Sequence, residues 1–380
     1  MAKIKRKKGN RTGFTTGACA AAAARAAAIG LVRGVVPEQV ECQLPNDQMV
    51  TFDVAEGCVG QALQDEPERL GMVAHAVIIK DAGDDPDVTH RGAMTADLRP
   101  LPDQPGQVVL VGGQGVGRVT KLGLGLEVGA PAINPVPRAN IEHNVRAVAA
   151  TYLQHSGIEV VISVPGGEEM AKRTLNARLG IVDGISILGT SGIVYAYSTS
   201  AFRASVEQHI EVAATQGLTT MVLTTGGRTE RFTQQQLPDL QDACFVQMGD
   251  FLKPALNACV RAGIKQVIIG GMVGKLVKMA QGEENTHAGK SVVNMGLVAL
   301  IAAEVGAPEA ICEEIRGAET ARFASDHMAK LGLTQPFYDN LAQRVVQTLT
   351  QRYEGQFTLR ILVCDFEGNP ITEASGGHHG

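Results

Sequence analysis

Four stretches hold side chains or turns that could do chemistry. Asp81-Ala82-Gly83-Asp84-Asp85-Pro86-Asp87-Val88-Thr89-His90 sets four acids within seven residues. Three readings stay open: oxygen ligation of a metal, a solvated acidic turn, and a base or orienting group for a cationic ligand, with Asp81 and Asp84 as the candidates. The first lacks the regular ligand repeat and distal Glu of a calcium loop. Gly112-Gly113-Gln114-Gly115-Val116-Gly117 follows an apolar run and imitates a dinucleotide fingerprint, but 118–125 is β-branched and glycine-broken, and no acid closes a second strand at the proper distance. A glycine-rich hairpin or anion-binding nest is expected there, with Arg118 and Lys121 able to meet carboxylates. Gly270-Gly271-Met272-Val273-Gly274-Lys275 is no phosphate loop: Ile269 occupies the first glycine position and Leu276 replaces the magnesium-holding Ser or Thr. His287 stands alone; such a residue is more often a cap or core residue than a base.

These groups need a scaffold, and its pattern centres on 158–194. The β-branched run 159–164 stops at Pro165-Gly166-Gly167, a helix is expected to end at Gly180, and the apolar run 181–188 ends in Gly189-Thr190-Ser191-Gly192. This predicts a right-handed βαβ unit. Three similar runs follow: 219–225 into Gly226-Gly227-Arg228, 243–248 into Gly249-Asp250, and 265–269 into Gly270-Gly271. Five small-residue tips are therefore expected along one edge of a parallel sheet, where helix N-termini suit anionic or polar ligands.

Composition narrows the function. The chain has 380 residues, 44% of them hydrophobic, which suffices for two domains with their own cores. A formal net charge of -5 argues against a general nucleic-acid binder. With 4% aromatics and no tryptophan, base-stacking platforms are disfavoured. The seven scattered cysteines lack CxxC or paired-His spacing, which points to free thiols in a reducing compartment rather than a zinc site or disulfides. Basic residues at 3–8 before an alanine run imitate a secretory signal, but Arg25 interrupts the run, and a slim helix capped by Thr15 or Thr16 explains it better. No stretch reaches the roughly 20 apolar residues of a membrane span. The expected protein is soluble and cytoplasmic.

The expected fold combines α+β and α/β parts. Residues 1–135 form an α+β domain rich in strands, with the alanine-rich helix, a hairpin from 39–44 and 49–54, and a strand at 73–80. Residues 131–138 are expected to be an extended crossover, because each proline biases its predecessor away from helix. Residues 136–380 form a Rossmann-like parallel-sheet domain with helices at 140–154, 291–304, 309–316, 320–331 and 336–353, and a final strand at 358–366 on the sheet edge. The terminal His378-His379 is expected to be disordered.

The motifs Arg11-Thr12-Gly13-Phe14-Thr15-Thr16-Gly17-Ala18-Cys19, Lys80 through His90, Gly112 through Leu124, Pro131 through Arg138, Gly274 through Gly282 and Thr286-His287 together resemble the CbiD family, in family order over most of the chain. Met272 stands where the family commonly has His, and Leu122 where proline is usual. The resemblance implies transfer of a methyl group from S-adenosylmethionine to C1 of cobalt-precorrin-5B, or of its metal-free equivalent, in corrin ring assembly, with cobalt held by the substrate and no protein-held metal. It implies a polycarboxylated tetrapyrrole as partner and allows other corrin-pathway enzymes, without nucleic acid or membrane. On that reading the donor lies on Thr190, Ser191, Gly192, Thr225, Gly226, Gly227, Gly249 and Asp250. The ring meets Arg11, Thr15, Thr16, Arg118, Lys121, Arg138 and Lys275, and Asp81, Asp84 and His287 are base candidates. Two rivals are a nicotinamide oxidoreductase, disfavoured by the missing fingerprint, and a non-catalytic corrinoid carrier.

Overall fold

A computed structural model describes residues 11–60 and 73–377. The basic run at 3–8 and His378-His379 lie outside the described residues. The chain divides into two compact units, Met1–Ser198 and Thr199–Gly380. It does not divide near residue 135 as the proline-rich stretch suggests.

The first unit contains β1 (Gly13–Phe14), α1 (Thr16–Arg33), β2 (Gln39–Gln43), β3 (Met49–Asp53), β4 (Glu56–Val59), β5 (Ala74–Ile79), β6 (Ala93–Leu101), β7 (Val108–Gly112), β8 (Arg118–Val119), α2 (Pro135–Leu153), β9 (Gly157–Ser163), α3 (Gly167–Ala171), α4 (Asn176–Leu179), β10 (Ile181–Val182) and β11 (Ile193–Val194). Strands β4-β5-β6-β9-β7 form one sheet, antiparallel except for β7 beside β9. The expected β2–β3 hairpin forms, with Gln39 opposite Asp53. The alanines of α1 are buried against Ala74 and Ala76 of β5 and Ala96 of β6. With small side chains on both surfaces, helix and sheet approach closely. Thr15 is the N-cap, its Oγ1 accepting from Ala18 N at 3.1 Å.

Three expectations fail in this unit. The 158–194 stretch is not a βαβ unit of a parallel sheet. β9 pairs antiparallel with β6, β10 pairs with β8, and β11 pairs with β1. A parallel crossover needs a dozen or more residues, usually a helix that runs back along the strand. Here the helical pattern breaks in two, because Thr174 Oγ1 accepts from Asn176 N at 3.1 Å and starts a new four-residue turn. Residues 131–138 are not an extended crossover either, since α2 starts at Pro135. Prolines in a first turn lack only N–H groups that have no helical partner anyway. Nor do 112–117 form a hairpin, because β7 and β8 belong to different sheets. A Cβ on Gly115 would fall 1.9 Å from Val164 O, one on Gly167 2.2 Å from Gly115 O, and one on Gly184 2.4 Å from Gly115 O. These glycines let three backbone segments cross in contact.

The second unit contains α5 (Thr199–Thr215), β12 (Thr220–Thr224), α6 (Gly227–Gln236), β13 (Phe245–Gln247), α7 (Leu252–Arg261), β14 (Gln266–Gly271), α8 (Val273–Ala280), α9 (Met295–Glu304), α10 (Glu309–Arg316), α11 (Ala321–Lys330), α12 (Thr334–Arg352), β15 (Thr358–Cys364) and β16 (Pro370–Gly376). Its sheet has the order β13-β12-β14-β15-β16, parallel except for β16. The central strands read TMVLT and QVIIGG, apolar on both faces as a covered parallel sheet requires. Phe232 of α6 packs on one face with Val222, Phe245 and Ile268. On the other face Met221, Leu223 and Ile269 meet side chains of α5, α7, α8 and α12. β15 is not an edge strand, because β16 adds outside it. The expected helices after residue 290 are present as α9 to α12. Among the described residues no helix is long and apolar enough to cross a membrane.

Candidate active site

In the second unit three parallel strands deliver their carboxyl ends to one edge, at Thr225-Gly226-Gly227, Gly249-Asp250 and Gly271-Met272. β13 lies on one side of β12 and β14 on the other. The chain therefore leaves β12 and β14 in opposite directions, the point at which α/β sheets leave room for a ligand, and α6 and α8 begin there. The glycines here differ in kind. A Cβ on Gly270 would meet Thr233 Cγ2 at 2.4 Å and one on Gly271 Leu276 Cδ2 at 2.7 Å, whereas at Gly226 and Gly274 it meets none of the described atoms within 4 Å. Gly226 and Gly274 border open space at the two helix starts.

Asp250 organises the charges of this edge. Its carboxylate pairs with Lys275, and its Oδ1 accepts from Thr286 Oγ1 at 3.1 Å. The Thr286 carbonyl in turn accepts from Lys278 Nζ at 3.0 Å. Burial alone would raise the Asp250 pKa, but the bonds from Lys275 and Thr286 hold it below the usual carboxylate range. His287 is exposed, and its Nδ1 accepts from Gly289 N at 3.0 Å, so the ring nitrogen able to take a proton is already engaged. Three residues expected to serve separately, Asp250, Lys275 and His287, thus come together. Lys278 was missed. Its only sequence signal is its place one turn after Lys275 on α8.

In the first unit Arg11 pairs with Asp81, and its N–H donates to Asp84 Oδ2 at 2.9 Å. The Arg11 hydrogen bond, followed by one from Gly83 N, lowers the Asp81 pKa, which makes this carboxylate a poor base. Lys80, the last residue of the expected 73–80 strand, is buried with Nζ 2.7 Å from Asp87. Burial would raise the Asp87 pKa, but the Lys80 ammonium and Thr89 hold it low. Thr16 Oγ1 accepts from Leu188 N at 2.9 Å, so the threonine pair fastens the 186–192 loop to the start of α1. The same hydroxyls line a cavity of about 170 Å³ together with Asp87, Thr89, Asn176 and Ser186, a site no sequence pattern announced. Gly192 O accepts from Thr15 N at 2.9 Å. Thr190-Ser191-Gly192 therefore belong to the first unit and do not share a sheet edge with Thr225-Gly226-Gly227, because β11 pairs with β1. Arg118 pairs with Asp183 at 3.1 Å. Lys121 and Arg138 have no carboxylate partner among the described residues.

The CbiD family profile matches residues 3–196, and the profile for the CbiD C-terminal domain matches 285–375. The chain belongs to the CbiD family. The first CbiD match ends beside the unit boundary at Ser198. The chain is 62% identical to a protein of Methylococcus capsulatus over 98% of its own length and 95% of the relative's. It is 60% identical to one of Polaromonas sp. JS666 over 99% and 100%, and 43% identical to one of Geobacillus kaustophilus over 98% and 96%. All three carry the name cobalt-precorrin-5B C(1)-methyltransferase. A crystal structure of the cobalamin biosynthesis protein CbiD from Archaeoglobus fulgidus is 27% identical, covers 71% of this chain and 79% of its own, and has a TM-score of 0.38. In this member of the CbiD family Met272 is the N-cap of α8 and packs beside Ile268, so no histidine chemistry arises at that position.

Proposed function

We propose that the chain is a methyltransferase that moves a methyl group from S-adenosylmethionine to C1 of cobalt-precorrin-5B, giving cobalt-precorrin-6A, with cobalt carried by the substrate. The observation that carries this reading is the full-length similarity to proteins of that name, 62% identity over 98% of the chain. The donor supplies an electrophilic methyl on a sulfonium, the ring carbon supplies the electron pair of the new C–C bond, and the S–CH3 bond breaks with its pair returning to a neutral thioether. The chain's task is alignment, which is worth several kcal/mol of barrier.

The strand order supports a Rossmann-like reading of the second unit, in which ligands lie at the carboxyl ends of the strands where the order reverses. The donor fits there: Asp250 stays ionised near a cationic ligand, and Gly226 and Gly274 leave the first turns of α6 and α8 approachable. Among the first-unit residues expected to meet the ring, Lys121 and Arg138 have no carboxylate partner among the described residues and are open to ring carboxylates. Arg11 and Arg118 are exposed and could exchange partners at little cost. With Asp81 held as a weak base and His287 Nδ1 engaged, positioning rather than proton abstraction accounts for the rate. All seven cysteines are free, and burial pushes the thiols of Cys19, Cys42 and Cys259 up to about 12. This supports a reducing, cytoplasmic setting.

The test incubates the purified chain with methyl-labelled S-adenosylmethionine and cobalt-precorrin-5B and locates the label on the ring. Label at C1 is expected. Ring binding without transfer would make the protein a carrier, and saturable NAD(P)H binding with no donor binding would favour an oxidoreductase.

A further inference from the structure

The Lys278 side chain is hard to explain as packing. The residue is only 6% exposed, yet its ammonium makes one hydrogen bond, to Thr286 O, and leaves two donors without acceptors among the described residues. A covered ammonium is costly unless an anion pairs with it. The nearby carboxylates do not serve. Asp250 and Glu283 both act on Lys278 through space, but neither hydrogen-bonds to it, and the Oδ1 of Asp250 is engaged by Lys275 and Thr286. Asp250 shows the converse: its Oδ1 is occupied, while its Oδ2 has no hydrogen-bond donor among the described residues. Within one cluster, bridged by Thr286, there is a carboxylate oxygen open to a cation and an ammonium open to an anion. Lys275 is half-exposed and able to change partner, and the first turn of α8 adds positive potential.

We propose that Asp250 and Lys278 hold the two charged ends of an α-amino acid, the methionine moiety of the methyl donor; this rests on the donor assignment above. The donor's ammonium takes the place of the Lys275 ammonium on Asp250. The donor's carboxylate accepts from Lys278 and from the displaced Lys275. The Lys275–Asp250 pair of the free protein is thus a stand-in that keeps the site neutralised until the ligand arrives, and the adenosyl end extends toward the open space at Gly274 and Gly226.

Calorimetry on the full chain with S-adenosylmethionine, its decarboxylated analogue and 5′-methylthioadenosine tests this. The wild type is expected to bind the decarboxylated analogue at least tenfold more weakly than S-adenosylmethionine. Lys278→Met should cut that preference severalfold, Lys275 holding the rest, while leaving 5′-methylthioadenosine affinity unchanged, which also shows that the variant is folded, and Asp250→Asn should weaken both amine-bearing ligands together. If S-adenosylmethionine and its decarboxylated form bind equally to the wild type, or if Lys278→Met keeps the preference in full, the anchor is wrong and the methyltransferase reading stands. If none of the three binds, both fail.

Discussion

Replacing Gly226 by Val should weaken donor binding and leave the fold almost intact. At φ 161° and ψ 173° the residue is extended, a conformation valine adopts freely, and a Cβ there meets none of the described atoms within 4 Å. The structural cost is confined to the helix cap, where valine is inferior to glycine by up to about 1 kcal/mol. The Thr229 hydroxyl, which donates to Gly226 O at 2.8 Å and accepts from Gly226 N at 3.1 Å, survives the change. For a unit of this size that is a melting shift of only about 2–4 °C. On the ligand side the added methyls fill the approach to the α6 start. Losing one backbone hydrogen bond to a charged or strongly polar group costs about 1.5–3 kcal/mol, or roughly tenfold to over a hundredfold in affinity. Gly274→Ala is the companion, a first-turn position of α8 where alanine gains up to about 1 kcal/mol of helix stability. Its melting temperature should rise slightly while donor affinity falls. Calorimetric titration with S-adenosylmethionine beside a thermal melt reads both quantities. Unchanged donor affinity in both variants would refute a donor site at the carboxyl ends of β12 and β14.

Arg138→Ala should raise the dissociation constant of the ring about tenfold or more by direct titration. Because a cation in a helix's first turn opposes the dipole, the same change should leave the melting temperature equal or slightly higher, and a clear fall would mean Arg138 serves the fold instead. Asp87→Asn leaves the Lys80 ammonium buried and unpaired and should cost about 3–5 kcal/mol, while Lys80→Met with Asp87→Asn should recover much of that in chemical denaturation. The Asp87 pKa is lowered on folding, so its stabilisation is complete above its unfolded value, about 3.9, and is lost as pH falls through the folded value. The gap between wild type and Asp87→Asn should therefore close in acid, and a gap constant with pH would contradict the pairing. Gly115→Ala places a Cβ 1.9 Å from a carbonyl at φ +70°, and expression trials should find little folded protein.

What the sequence determined by itself was local or repetitive. The alanine run had to be a helix, and Thr15 was a ready N-cap. The β2–β3 hairpin, the apolar runs of β12, β13 and β14, and the helix-spaced segments after residue 290 follow from periodicity and turn residues acting over a few neighbours. The family signature was legible for the same reason, as short motifs in a fixed order. Tertiary structure decided which strand pairs with which. The 159–164 run is equally compatible with a parallel sheet or an insertion between β6 and β7, since its apolar residues say only that both faces are covered. Only long-range hydrogen bonding places it in the first unit. Glycines were ambiguous in the same way: Gly115 and Gly226 look alike in sequence, yet one is pressed against Val164 and the other faces open space. The charges show it most clearly. Asp250, Lys275, Lys278 and Thr286 span 37 residues and meet because β13 and β14 flank β12 and end on one edge. Arg11 was expected to wait for a ligand and instead holds Asp81. Whether a charged side chain is free or paired depends on what the fold brings within reach of it, and that is a property of distance in space rather than of distance along the chain.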